Sequence, residues 1–175
     1  MSKIKLATVW LDGCSGCHMS LLDIDEALAV VAKKADIVYG PLVDAQEFPE
    51  GVDVTLVEGA VSNQDDLRKI ETIRKRSRLV VALGDCAVTG NVPAMRNTIP
   101  VKQLLERVYV EGASATPKPP TDVPALLKRA VPVHEVVPVD LHVPGCPPSA
   151  ASILYVVSEL LEGRKPDLTT KVKFG

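Results

Sequence analysis

The stretch Arg78-Leu-Val-Val-Ala-Leu-Gly-Asp-Cys86 reads as an apolar strand that stops at a Gly-Asp-Cys turn. The same pattern recurs on both sides of it. Upstream, Val52-Asp-Val-Thr-Leu-Val57 is a strand ending at Glu58-Gly59, and Asp36-Ile-Val-Tyr-Gly40 is a shorter one. Ile4-Lys-Leu-Ala-Thr-Val-Trp-Leu11 is a strand ending at Asp12-Gly13, immediately before Cys14-Ser-Gly-Cys17. Downstream, a strand near 136–143 stops at Gly145-Cys146. Between the strands the apolar spacing turns helical. Leu21, Ile24, Leu28 and Val31 share one face of a helix over about 18–33, and Leu67, Ile70 and Ile73 mark a charged surface helix near 63–76. A closing helix begins near Pro147, which suits a first helical turn; it carries Ile153, Val157, Leu160 and Leu161 on one side and stops at Gly163. Strands alternating with helices predict an α/β fold: a doubly wound, flavodoxin-like, mostly parallel sheet with helices on both faces and strand order 2-1-3-4-5.

The chain has 175 residues, enough for one domain with a full core, so residues 1–175 are expected to form a single unit. Hydrophobic residues make up 46% and charged ones 24%, an ordinary globular composition. A formal charge of −2 excludes a nucleic-acid binder that works by bulk positive charge, and 3% aromatics leaves little for base stacking. No apolar run approaches the roughly 20 residues of a membrane span, so no membrane insertion is expected. Met1-Ser-Lys-Ile-Lys5 leads straight into the first strand with no leader pattern, which points to the cytoplasm. Eleven of the 14 prolines lie between Pro93 and Pro148. They suggest an irregular Pro-rich insertion over about 93–124, centred on the loop Gly112–Asp122, with short helices at about 101–108 and 123–129.

The four cysteines carry the chemistry: Cys14, Cys17, Cys86 and Cys146. Two disulfides would suit an oxidising compartment, and inert buried thiols are common, but a close Cys-x-x-Cys pair favours metal or redox chemistry. A thioredoxin-like dithiol, a four-cysteine zinc site and an iron–sulfur cluster remain as alternatives. In a parallel sheet all strand C-termini lie on one edge, so the four thiols and Glu58 should meet there, where doubly wound sheets bind ligands. Gly13, Gly16, Gly84 and Gly145 flank the cysteines and let backbone amides come close. Four-cysteine zinc sites usually come from paired knuckles in small domains that need the metal to fold. Here one pair joins two isolated cysteines on a sheet with its own core, which favours a cluster; a [4Fe–4S] cluster uses four cysteines.

Val9-Trp-Leu-Asp-Gly-Cys-Ser-Gly-Cys-His-Met-Ser-Leu21 resembles the N-terminal signature of [NiFe]-hydrogenase small subunits. Val57-Glu-Gly-Ala60, Gly84-Asp-Cys-Ala-Val-Thr-Gly90 and Val143-Pro-Gly-Cys-Pro-Pro148 match that family's other motifs in order. The resemblance implies that Cys14, Cys17, Cys86 and Cys146 hold a proximal [4Fe–4S] cluster fed by a nickel–iron centre in a separate large subunit. Periplasmic and membrane-bound relatives carry a twin-arginine signal and a C-terminal region with more cysteines; this sequence shows neither. It is therefore most similar to the short small subunits of soluble cytoplasmic NAD-reducing [NiFe]-hydrogenases. Their diaphorase subunits carry flavin and further iron–sulfur clusters and reduce NAD. The cluster-carrying subunit of respiratory complex I is a relative, but it has adjacent cysteines where this chain has Cys14-Ser-Gly-Cys17.

Other residues carry expectations of their own. Glu58 is either a proton relay or a cap for backbone amides. His18 either donates a hydrogen bond toward the cluster or simply opens a helix. Asp12 and Asp85 read as turn residues and Trp10 as packing or interface. Arg74-Lys-Arg-Ser-Arg78 reads as a solvated basic face near a helix C-terminus. Gly84–Gly90 lacks the Gly-Lys-Ser/Thr ending of a nucleotide-phosphate loop.

Overall fold

Five strands form the central sheet of the computed structural model, which describes residues 3–172 and 174. Residues 1, 2, 173 and 175 of the expected unit lie outside the described residues. In chain order these strands are β1 (Ile4–Trp10), β2 (Ala35–Tyr39), β3 (Val52–Glu58), β5 (Ser77–Leu83) and β7 (Leu141–Val143). They lie in the order β2-β1-β3-β5-β7, and every pairing is parallel. Counted within the sheet, that is the expected 2-1-3-4-5. A separate antiparallel ribbon joins β4 (Val61–Asn63) to β6 (Leu126–Val131).

Two apolar layers cover the sheet, as its alternating side chains require. Leu56, Val81 and Leu83 face a layer shared by α1 (Gly16–Leu22), α2 (Ala27–Lys34) and α7 (Ala150–Leu161), through Leu21, Val31 and Ile153. Val57, Val80 and Ala82 face the other side, against Ile70 and Ile73 of α3 (Gln64–Arg76) and Ala87 of α4 (Asp85–Thr89). Helix α3 begins at a reciprocal cap: Asn63 Oδ1 accepts from the Asp65 and Asp66 amides, while Asp66 Oδ2 accepts from the Asn63 amide.

Local structure departs from the sequence pattern in four places. The helix expected over 18–33 is two helices, because Asp25 takes a left-handed φ of 50° and turns the chain between them, while Ile24 still reaches the core. The last sheet strand spans only Leu141–Val143: Pro138 has no amide to donate, and residues 133–135 form a 3-10 turn. Helix α7 starts at Ala150 with Ser149 as its cap, so Pro147 precedes it; a residue before proline is pushed out of helical conformation, and Pro148 follows Pro147. Residues expected as a helix at 123–129 instead enter β6, since a short apolar run fits either state and pairing with β4 decides it.

The segment expected to be an irregular insertion holds more structure than its prolines suggest. It contains α5 (Asn91–Ala94), a 3-10 turn at Met95–Thr98, α6 (Val101–Glu106) and a π-helical turn at Arg107–Glu111. Its base is tied to the ribbon. Arg96 Nη2 donates to the Ser62 and Leu127 carbonyls, and the Asn97 amide group exchanges two 2.7 Å hydrogen bonds with Ala130. In the basic run Lys75 and Arg78 are exposed, as expected of a solvated face, while two other members are tied to the fold. Arg74 donates to Asp140 at 2.6 Å and to the Ser77 and Arg78 carbonyls, and Arg76 donates to the Phe48 carbonyl. Among the described residues no helix is long and apolar enough to cross a membrane.

Candidate metal centre

Sheet register aligns the strand ends in one row: Trp10 pairs with Glu58, Glu58 with Leu83, and Leu83 with Val143. The loops leaving this row carry the cysteines. Cys14 lies in the loop after β1 and Cys17 in the first turn of α1. Cys86 lies in the first turn of α4 after β5, and Cys146 in the loop after β7. The amides of a first helical turn have no acceptor within their own helix; beside Cys17 the His18 amide donates to Glu58 Oε2, and beside Cys86 the Asp85 amide donates to the Gly145 carbonyl. All four cysteines are free thiols; Cys17 is buried, Cys86 half-buried, and Cys14 and Cys146 exposed.

The thiols feel one another. Burial pushes the Cys17 thiol far above its ordinary range, and Glu58, Cys86, Cys14 and Cys146 add to the shift in that order. Cys86 is raised by burial and by Cys146, Cys14 and Glu58, against the pull of the Val92 amide. Distant cysteines and Glu58 thus share one local field. Among the described residues, however, no three His, Cys, Asp or Glu side chains are arranged to hold a single metal ion.

Close backbone approach holds the loops. Gly84 has φ +83°, and a Cβ there would stand 2.2 Å from Cys17 Sγ, so only glycine lets β5 pass beneath that thiol. Gly59 has φ +93°, and a Cβ there would meet Leu11 and Asp12 backbone atoms at 2.8 and 2.9 Å. Asp12 and Ala60 bridge these two loops, with Asp12 N–H donating at 3.0 Å and Ala60 N–H at 2.7 Å.

Glu58 is 2% exposed, and its Oε2 accepts both the His18 amide at 2.9 Å and His18 Nδ1 at 2.5 Å. His18 is 7% exposed, and its Nε2 is buried with no hydrogen-bond partner. The carboxylate is therefore an amide cap for the first turn of α1, and it reaches two of the thiols electrostatically. Trp10 stands 46% exposed at the rim, its indole N–H donating to the Gly13 carbonyl at 3.0 Å.

Three positioning residues escape the sequence pattern. The Asp85 amide donates to the Gly145 carbonyl at 2.9 Å, and Asp85 Oδ1 accepts from the Gly145 amide at 2.7 Å, which clasps the two loops holding Cys86 and Cys146. Asn91 Nδ2 donates to Cys146 Sγ at 3.5 Å. Ser20 Oγ donates to the Pro148 carbonyl at 2.6 Å, tying α1 to the Cys146 loop. Only Asp85 carried a signal, as the residue next to a cysteine in a strand-end turn.

Comparison with known proteins adds an independent line. The family model described as NADH ubiquinone oxidoreductase, 20 Kd subunit, matches residues 14–160. The chain is 38% identical to subunit delta of the NAD-reducing hydrogenase HoxS of Cupriavidus necator, over 97% of this chain and 84% of that one. It is also 38% identical to one of the subunits of the F420-non-reducing hydrogenase vhu of Methanocaldococcus jannaschii, over 97% of this chain, but spans 60% of that relative's length. A crystal structure of NAD+-reducing [NiFe]-hydrogenase in the H2-reduced state contains a similar chain: TM-score 0.95 and 37% identity, covering 99% of this chain and 100% of that one.

Proposed function

We propose, from the premise that this chain belongs to the NADH ubiquinone oxidoreductase 20 Kd subunit family and is a hydrogenase subunit within it, that it carries the proximal [4Fe–4S] cluster of a cytoplasmic [NiFe]-hydrogenase. Its partners would be a large subunit holding the nickel–iron centre and a diaphorase module, with flavin and further clusters, that reduces NAD. The likeness to NAD-reducing relatives supports the acceptor. The observation that carries the cluster is the in-register row of strand ends with mutually coupled thiols beyond it.

The donor set suits such a group. Cys14, Cys17, Cys86 and Cys146 are its proposed ligands; once bound, it takes up and releases single electrons. Burial raises the Cys17 and Cys86 thiols above their ordinary range, and coordination to metal would offset that cost of ionisation. The Asn91 amide on Cys146 supplies the kind of sulfur hydrogen bond that tunes a potential. Glu58 orients His18 and the first turn of α1, and His18 Nε2 is left as a buried site from which a proton relay toward the large subunit can start. A single-ion zinc adaptor is the weaker alternative, because four-cysteine zinc sites usually come from paired knuckles in small domains that need the metal to fold, and here one Cys-x-x-Cys pair joins two isolated cysteines.

Replacing Cys86 by Ala in the assembled enzyme tests this. Hydrogen-dependent NAD reduction should fall to background, while diaphorase activity with NADH and a dye is spared. Retention of hydrogen-dependent NAD reduction would overturn the assignment.

A further inference from the structure

Helices α5 and α6 and the turns that follow each of them bury none of their residues. Helices this short are not stable in water by themselves, and most helical stability comes from a packed apolar face. Here that face looks outward. Of the fifteen exposed large apolar side chains among the described residues, eight lie between Val92 and Leu126, including Met95 at 72%, Val92 at 61%, Val123 at 56% and Val108 at 55%. Concentrations of this kind mark interaction sites. Between α6 and the Pro-rich loop runs an open groove of about 490 Å³, lined by Leu104, Leu105, Tyr109 and Val123. Arg96 lines it too, and its Nη1 is buried without an acceptor.

Charge says what covers this arm. Residues 91–131 hold six lysines and arginines against three acids, in a chain whose net charge is −2. Lys102, Lys128 and Arg129 are exposed; Lys128 and Arg129 line a hollow with Ile99 and Leu126, and Lys102 one with Leu105 and Val110. The arm is also continuous with the thiol rim: it begins at Asn91, whose side chain donates to Cys146 Sγ.

We infer that the arm over residues 91–126 is a docking surface for a second protein subunit. That subunit presents an apolar segment rimmed by carboxylates, with an oxygen acceptor for Arg96. The apolar ridge fills the groove, and the carboxylates meet Lys102, Lys128 and Arg129. Acids at Glu106, Glu111 and Asp122 among the cations favour a matched protein face over an anionic lipid surface. Because the surface adjoins the proposed cluster ligands, its occupant is a subunit that exchanges electrons with this chain, and that clause alone rests on the proposed function.

The test uses the native assembly purified through this chain, with Val108→Asp and, separately, Lys102→Glu/Lys128→Glu/Arg129→Glu. Both changes fall on exposed positions. One defined acidic subunit should be lost, or bind at least tenfold more weakly, and more so at high salt, since screening removes the charge contribution. In each variant co-produced with the large subunit alone, acid-labile sulfide per copy of this chain and the thermal transition should stay as in the unaltered chain. A full complement of subunits in both variants would overturn the inference. So would unaltered chain co-sedimenting with phosphatidylglycerol vesicles through this arm, or a change in self-association alone. Subunit composition is read whether or not the chain carries a cluster, so failure of the cluster assignment shows separately, as absence of sulfide when the unaltered chain is co-produced with the large subunit alone.

Discussion

At the scale of single residues the site is governed by close approach. Gly84→Ala places a methyl 2.2 Å from Cys17 Sγ on a backbone at φ +83°. Strain at such positions costs about 1–3 kcal/mol, and here the clash falls on a proposed ligand. The variant should lose most of its acid-labile sulfide and melt earlier by calorimetry; unchanged sulfide content would refute the crowding argument. The cysteines and Glu58 were legible because each ends an apolar strand, and a parallel sheet sends all such ends to one edge. The clasp between Asp85 and Gly145 was not legible, because a hydrogen bond across 60 residues leaves no local pattern. Asn91 on Cys146 and Ser20 on Pro148 were hidden for the same reason.

At the scale of elements, caps and staples decide where helices and strands begin. Asn63 caps α3 through two backbone amides, so Asn63→Ala should cost about 1 kcal/mol. For a chain of this length that is a fall of roughly 2–4 °C in Tm, and no fall would show that packing alone fixes the helix start. Asp140 staples β7 to β5. Burial works against its charge, but the Val80 amide and Arg74 outweigh it and hold its carboxyl below the ordinary 3.8. A carboxyl depressed in the folded state stabilises above its unfolded value, and the gain is lost as pH falls through the folded one. Its side chain is 40% exposed, so solvent screening limits the term to about 1 kcal/mol. Asp140→Asn should therefore lower stability at pH 7, and the gap to the unaltered chain should close as pH drops below about 4 in denaturant titrations. A gap that did not narrow at all as pH fell from 7 through the ordinary carboxylate range and below would assign the loss to packing. Long periodic elements such as α3 were readable; β6 was not, since a short apolar run is settled by the distant partner β4.

At the scale of the whole molecule the sheet is a device for convergence. Three short loops leave an aligned row of strand ends and bring together cysteines that stand far apart in sequence. The order 2-1-3-4-5 was legible because alternation of strands and helices leaves few topologies. Of the arm over residues 91–126 only the helix near 101–108 was legible, as α6; the turns before and after it were not, because the prolines read as irregular chain and the arm's apolar residues have no counterpart within the chain. Ile70 is fully buried between α3 and the sheet, so Ile70→Ala should cost about 2–5 kcal/mol without touching the thiols. The variant should be less stable in urea and yet keep its sulfide when folded. The most direct measurement is acid-labile sulfide and zinc in the chain co-produced with its large subunit and purified without air, because a nickel–iron centre brings no sulfide of its own. Four sulfides per chain, lost on replacing any one of the four cysteines by Ser, are predicted; one zinc per chain without sulfide would contradict the account.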